Sequence, residues 1–318
     1  MNLPDTKSPP AIFLTGPTAS GKSAVALEIA RHLPVEIISV DSAQVYRYMD
    51  IGSAKPDKST QVKIPHHLID LINPDESYSA AQFREDALSV MHGIVMRGKV
   101  PLLVGGTMLY FKVLRQGLAT LPAADGETRK ELEQLALEKG WPAMHAVLSQ
   151  LDPVTAERIR PNDSQRIQRA LEVCYLTGRP MSEVLQQQQD ADFPYRVFNI
   201  ALLPGERSAL HDRICQRFGK MLEMGLVDEV RMIRERFHMD GNVPSMRCVG
   251  YRQVCMYLDS EISFARMQEM GVFATRQLAK RQLTWLRSMN DLQVFDCLDN
   301  RLAAQIIHYI QSHSVFSR

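Results

Sequence analysis

Three observations predict an α/β fold. Short apolar runs alternate with amphipathic helical stretches over residues 11–105, one run leads into Gly-Pro-Thr-Ala-Ser-Gly-Lys-Ser at 16–23, and strand character vanishes between 122 and 194. Alternation of this kind builds a parallel sheet with helices on both faces and ligands at the carboxyl ends of the strands. The expected architecture is a P-loop NTPase-like parallel-sheet core formed by residues 1–121 and 195–318. A mostly α-helical insertion at 122–194 interrupts it, and the C-terminal part is helical.

Residues 11–15 (AIFLT) lie between Pro10 and Gly16 and read as a buried strand. A helix is expected over 22–33, with Ala26, Ile29, Ala30 and Leu33 on its inner face. Residues 35–40 (VEIISV) give a second strand and 67–72 a third. Helical spacing of Phe83, Ala87, Val90, Met91 and Ile94 follows over 78–96. The strand at 100–104 (VPLLV) stops at Gly105-Gly106, and 198–203 (FNIALL) rejoins the sheet. Residues 207–237 read as helix broken near Gly225, and the remainder as largely helical. The glutamine tract at 186–189 reads as solvated helix or loop.

A net charge of +1 excludes a global field toward nucleic acid or membrane, so any such affinity must come from local clusters. Five cysteines without a C-x-x-C pair suggest reduced thiols in the cytoplasm rather than a disulfide framework or zinc site. His66-His67 has no metal-ligand spacing around it. No window approaches 18 apolar residues, so no membrane span is expected, and residues 1–10 carry no apolar signal core.

The loop at 16–23 carries the strongest chemical signal. Its glycines let successive N–H groups turn toward phosphate oxygens, and the helix that follows adds the positive end of its dipole. Gly16, Pro17, Thr18, Ala19, Ser20 and Gly21 form the cradle. Lys22 supplies a full charge, and Ser23 the hydroxyl that meets Mg²⁺. A nucleotide hydrolase carries an acid at the end of a neighbouring strand. Asp41 stands there, but Ser-Ala-Gln-Val-Tyr follows it, and the strand at 100–104 ends in Gly-Gly-Thr without an acid. At this level Asp41 is either a metal-binding acid or a base serving an attacking group other than water.

Across most of its length the sequence resembles the tRNA dimethylallyltransferase family. The matching blocks are GPTASGKS at 16–23, DSAQVY at 41–46, MDIGSAKP at 49–56, GGTMLY at 105–110, NDSQRIQRALEV at 162–173, RCVGYRQ at 247–253 and RQLAKRQLTWLR at 276–287. The resemblance implies transfer of a dimethylallyl group from dimethylallyl diphosphate to N6 of adenosine 37 in tRNA. It further implies Mg²⁺ and a helical insertion gripping the anticodon stem-loop. A cytoplasmic monomer is expected.

An adenine amine is a poor nucleophile and needs a positioned proton acceptor, a role that Asp41 fits. Thr107 is expected to hydrogen-bond the base or a diphosphate oxygen. The resemblance assigns Arg217 to the departing diphosphate. A target base must leave its stack, and Ser42, Ala43 and Gln44 directly follow Asp41 as candidates to meet it. On a helix, Arg276, Lys280 and Arg287 share one face, with Ala274, Leu278 and Trp285 expected to pack on the other. Residues 271–287 hold Arg276, Lys280, Arg281 and Arg287 and no acid, so Gln282 and Trp285 fall in a candidate RNA-binding segment. Arg166 and Arg169 share a face beside Gln165 and Gln168, whereas Ile167, Leu171 and Cys174 point into the insertion's core. The family motif nevertheless carries Ile167 into the RNA-binding set, along with Arg129. Arg247 and Arg252 flank Cys248, Val249, Gly250 and Tyr251, and the Tyr251 ring either stacks on a base or fills the core. Two rivals remain: a P-loop kinase of a small metabolite, and a non-catalytic RNA-binding module.

Overall fold

Pro10–Thr15 forms β1, a strand buried from Ala11 onward as a central parallel strand must be. The structure, a computed structural model, describes residues 8–117, 121–186, 193–237, 243–313 and 315. Helix α1 (Lys22–His32) leaves the phosphate loop with Gly21 as its N-cap. β2 (Val35–Val40) is buried at all six positions. After it come α2 (Lys58–Lys63), the two-residue β3 (His66–His67) and α3 (Ala80–Met96). A reciprocal capping box between Ser79 and Gln82 opens α3. β4 (Val100–Gly105) and α4 (Met108–Gln116) complete the first half.

Five helices follow: α5 (Gly126–Lys139), α6 (Trp141–Leu151), α7 (Pro153–Arg158), α8 (Ser164–Thr177) and α9 (Met181–Gln186). The chain then returns through β5 (Arg196–Leu203), α10 (Arg207–Glu223) and α11 (Leu226–Arg236). A 3₁₀ turn at Ser245–Arg247 leads to α12 (Tyr251–Leu258), α13 (Phe264–Arg287), β6 (Gln293–Asp296) and α14 (Leu302–Ser312).

The six strands are all parallel, in the order β3-β2-β4-β1-β5-β6. One sheet face packs Val25 and Ile29 of α1 with Ile306 and Ile310 of α14, and the other packs Phe83 and Met91 of α3 with Phe111 of α4. A third apolar cluster joins Val45, Tyr46 and Met49 to Phe218, Val230, Val254 and Met267. Its 49–54 loop is fastened by Glu229, whose carboxylate accepts from the amides of Asp50, Ile51 and Gly52 and from the Tyr251 hydroxyl.

Contacts divide the chain into Met1–Leu114 with Phe193–Arg318, and Arg115–Asp192. The second unit has its own core of Leu132, Leu148, Ile167 and Leu171. Two buried carboxylates organise it. Asp152 caps α7 through the Thr155 amide and also accepts from the amide and hydroxyl of Ser182. Glu172, fully buried, accepts from the Asp125 amide, Arg129 and Arg169. Its charge is thereby matched by two guanidiniums rather than left alone in a dry interior.

Two strand expectations need correction. The third strand is confined to His66–His67, because Leu68 and Asp70 adopt positive φ (61° and 56°), which ends an extended ladder. Only an isolated bridge between Tyr46 and Ile72 follows. The C-terminal part also adds β6, whose residues are mostly exposed and therefore lack the apolar run that marks a buried strand. Of the glutamine tract, Gln186 ends α9 and the rest lies outside the described residues.

Candidate active site

The phosphate loop emerges from β1 and turns into α1, so its amides gather at the helix's positive end. Lys22 folds back over the loop, its Nζ donating to the carbonyls of Gly16 (2.9 Å) and Pro17 (2.7 Å). Burial, then the neighbouring charge of Arg217, brings Lys22 down to about 7, against the opposing pull of Asp41. Burial also lowers Arg217, and Asp41 partly restores it. Three charged groups from β2, α10 and the loop thus feel one another in one place. Ser23 presents an exposed hydroxyl in the first turn of α1.

Strands β2 and β4 are neighbours in register Val40↔Gly105, which sets Asp41 and Thr107 side by side at their carboxyl ends. Gly105 has to be glycine, since a Cβ there would lie 2.0 Å from the Val40 carbonyl oxygen. Thr107 accepts from the Ser42 amide at 3.1 Å, and Asp41 Oδ1 accepts from the Ala43 amide at 2.9 Å. One carboxylate oxygen of Asp41 is thus held by its own turn.

A cleft of about 470 Å³ opens over these strand ends. Asp41, Ser42, Ala43, Thr107, Thr18 and Arg217 line it, together with Arg247, Cys248, Val249, Gly250, Arg281 and Trp285. Burial, followed by the Asp41 charge, pushes the Cys248 thiol up to about 12, so it stays protonated within the cleft. The described residues contain no cluster of three His, Cys, Asp or Glu side chains able to hold a metal. All five cysteines are free, and no helix among the described residues is long and apolar enough to cross a membrane.

Several predicted RNA-facing side chains point elsewhere. Tyr251 is fully buried with its hydroxyl on Glu229, so it fills the core and cannot stack on a base. Gln44 has its amide engaged inside the protein, accepting from the Ser39 hydroxyl and donating to the Ser53 and Ala54 carbonyls. Ile167 is sealed in the insertion's core.

On α13 the packed face consists of Met267, Gly271, Ala279, Gln282, Leu283 and Leu286, not of Ala274, Leu278 and Trp285. Leu278 and Trp285 line the cleft instead, and Trp285 is 39% exposed. Lys280, Arg281 and Arg287 are exposed, while Arg276 is half-buried and donates to the Cys215 sulfur. Gln282 is turned inward. Arg247 and Arg252 are exposed, but only Arg247 borders the cleft.

In the insertion, Arg166 and Gln165 are exposed, with Arg166 paired to Asp163. Arg129 and Arg169 are half-exposed on Glu172, and Gln168 donates to Glu133.

Residues 44–289 match the IPP transferase family, and residues 10–69 match an isopentenyl transferase family. The chain belongs to the IPP transferase family. Among curated relatives, the tRNA dimethylallyltransferase of Nitrosomonas europaea is 80% identical over the full length of both chains. That of Nitrosospira multiformis is 62% identical over 95% of this chain and 94% of its own. Among solved structures, the full-length tRNA isopentenylpyrophosphate transferase of Bacillus halodurans is 36% identical, with TM-score 0.70 over 95% of this chain and 96% of its own. A eukaryotic dimethylallyltransferase crystallised acting on tRNA gives TM-score 0.81 at 26% identity, over 98% of this chain and 80% of that one. In this IPP transferase the longer match spans Gln44, the Gly-Gly-Thr turn and all of α13, and the shorter one covers the phosphate loop and Asp41.

The position of Lys22 sets up a pH dependence. A diphosphate favours the charged amine, and that charge is lost as pH rises through about 7. Inorganic diphosphate affinity is therefore expected to fall by up to about tenfold per pH unit above that value, with proton uptake on binding. Lys22→Arg, which stays charged, should remove the amine's share of that uptake and leave only the proton exchange of the diphosphate itself. Calorimetry in buffers of different ionisation enthalpy checks both.

Proposed function

We propose that Asp41, Thr107, Arg217 and the phosphate loop carry out the dimethylallyl transfer to tRNA that family membership assigns to this chain. The donor is dimethylallyl diphosphate and the acceptor is N6 of adenosine 37. The observation that carries this reading is the meeting of one carboxylate, one hydroxyl and two cations where β2 and β4 end beside the loop.

In the proposed course the donor's diphosphate lies on the loop amides, Lys22 and Arg217. The flipped adenine presents its amine between Asp41 and Thr107. Nitrogen attacks C1 of the dimethylallyl group, the C1–oxygen bond breaks, and diphosphate leaves with the bonding pair. Asp41 accepts the proton that the amine sheds. Lys22 and Arg217 stabilise the charge developing on the leaving group.

The donor set suits magnesium, which usually takes substrate phosphates plus one or two protein oxygens; the Ser23 hydroxyl is such an oxygen here. When bound, the ion would neutralise diphosphate charge. The cytoplasm, with its reduced thiols and tRNA, is the proposed compartment, and the protein acts there as a monomer.

RNA is proposed to approach the exposed basic residues of α13 and, on the insertion, Arg166, Arg129 and Arg169. Lys280→Ala and Arg287→Ala should each lower the slope of log affinity against log salt by about one. Arg276→Ala should change it less, since its guanidinium is already tied to Cys215. Filter binding of tRNA across a salt series measures this.

The direct test is incubation with radiolabelled dimethylallyl diphosphate, Mg²⁺ and unmodified tRNA. Label in tRNA is expected. Absence of label, with phosphoryl transfer from ATP to a small acceptor, would replace this reading with a kinase.

A further inference from the structure

Gln282 lies on α13 but does not face solvent, being 7% exposed. Its side-chain amide is used at both ends. Oε1 accepts from the backbone amide of Thr18 in the phosphate loop at 2.8 Å, and Nε2 donates to the Gly106 carbonyl at 2.9 Å. The fit is close, because a Cβ on Gly106 would come within 2.3 Å of Nε2. The two loops it joins serve different reactants in the proposed function: residues 16–23 the diphosphate, Gly106-Thr107 the adenosine.

Side-chain chemistry restricts which residue can make this bridge. A carboxylate accepts but cannot donate to Gly106, and a lysine or arginine donates but cannot accept from Thr18. A neutral primary amide does both, and adds no negative charge beside a diphosphate. On the same stretch of helix, Thr275, Leu278, Arg281 and Trp285 face the cleft, with Arg281 and Trp285 exposed at its mouth. Arg281, an exposed cation at the cleft proposed to meet RNA, and Gln282, which fastens both loops, are therefore adjacent in sequence on one helix.

We propose that Gln282 is a positioning residue that couples RNA docking on α13 to the arrangement of the donor's phosphate loop. RNA that seats Arg281 and Trp285 fixes the helix, and Gln282 transmits that constraint to Thr18 and Gly106 together. Each substrate then tightens the other. Linkage makes the effect reciprocal, with a factor commonly between about 5 and 150. The inference rests on the proposed function.

The test uses full-length protein, an anticodon stem-loop RNA with adenosine at position 37, and dimethylallyl thiodiphosphate as an unreactive donor. Affinity for each ligand is measured alone and with the other saturating, in wild type and in Gln282→Met, which keeps the volume and removes both hydrogen bonds. Wild type is expected to show at least fivefold mutual tightening, equal in both directions. In Gln282→Met that factor should fall to near one, while donor affinity without RNA changes less than about threefold. Gln282→Glu, which retains the Thr18 contact alone, should also lose coupling.

A wild-type factor of one overturns the proposal. So does a Gln282→Met protein that binds both ligands weakly but keeps the full coupling factor, since that is a merely structural defect. Failure of wild type to bind either ligand would instead overturn the functional reading beneath it. Thermal unfolding of each variant confirms that folded protein is compared.

Discussion

Asp41→Ala is expected to lower kcat by about 10²–10⁴-fold while tRNA affinity stays within about threefold of wild type. The size follows from what a positioned general base contributes. The selectivity follows from the geometry. Asp41 carries one interaction with its own turn, the Ala43 amide, so its removal leaves β2, β4 and the Thr107–Ser42 contact in place. Arg217 loses its counter-charge, which would strengthen its hold on diphosphate rather than weaken it. Single-turnover transfer measured beside equilibrium tRNA binding separates the two quantities. Equal loss in both would make Asp41 an RNA-binding residue and leave the amine without a base.

The largest expected effect on stability lies away from the chemistry, at Glu229. Replacing it with alanine strands three loop amides and the buried Tyr251 hydroxyl at once. At about 1–3 kcal/mol for each unsatisfied buried group, partly relieved by entering water, a net destabilisation of about 3–5 kcal/mol is expected. The loop at 49–54 also supplies Gly52 and Ser53 to the cleft, so the surviving folded fraction should show raised KM for tRNA. Urea unfolding reads the first effect and steady-state kinetics the second. A loss below about 1 kcal/mol would mean that water satisfies the loop without Glu229.

How much of this was legible beforehand depended on whether a residue's role is local. The strand before Gly16, the helix after it and the acid ending β2 follow from runs of adjacent residues, and each falls where its pattern put it. The helix breaks at Gly225 into α10 and α11 for the same reason. Roles set by distant partners were not legible. Glu229 sits in a helix rich in charge, and nothing nearby marks it as the anchor of a loop some 180 positions earlier. Gln282 was placed with the RNA-facing residues because its neighbours are basic, whereas its amide bridges two loops. Tyr251 offered two uses, and its partner Glu229 decides between them. On α13 the sequence carries the helical period, but the packed face lies at a different phase from Ala274, Leu278 and Trp285. The packed face is fixed by α10 and the sheet, which a helix's own sequence does not specify.

The order of the strands has a consequence for synthesis. β1 is made before both of its sheet neighbours: one of its edges waits for β4 and the other for β5, whose last residue paired with β1 is Ala201. At about 5–20 residues per second, the ribosome needs roughly 5–20 s to add the stretch between those two partners. During that interval an apolar strand has one edge open, and the five helices of the insertion are already emerging. Because Leu132, Leu148, Ile167 and Leu171 form a core of their own, that unit has the means to bury its apolar faces while β1 waits. The nascent chain thus carries an open apolar strand edge through that interval, a stage at which chaperone contact would matter.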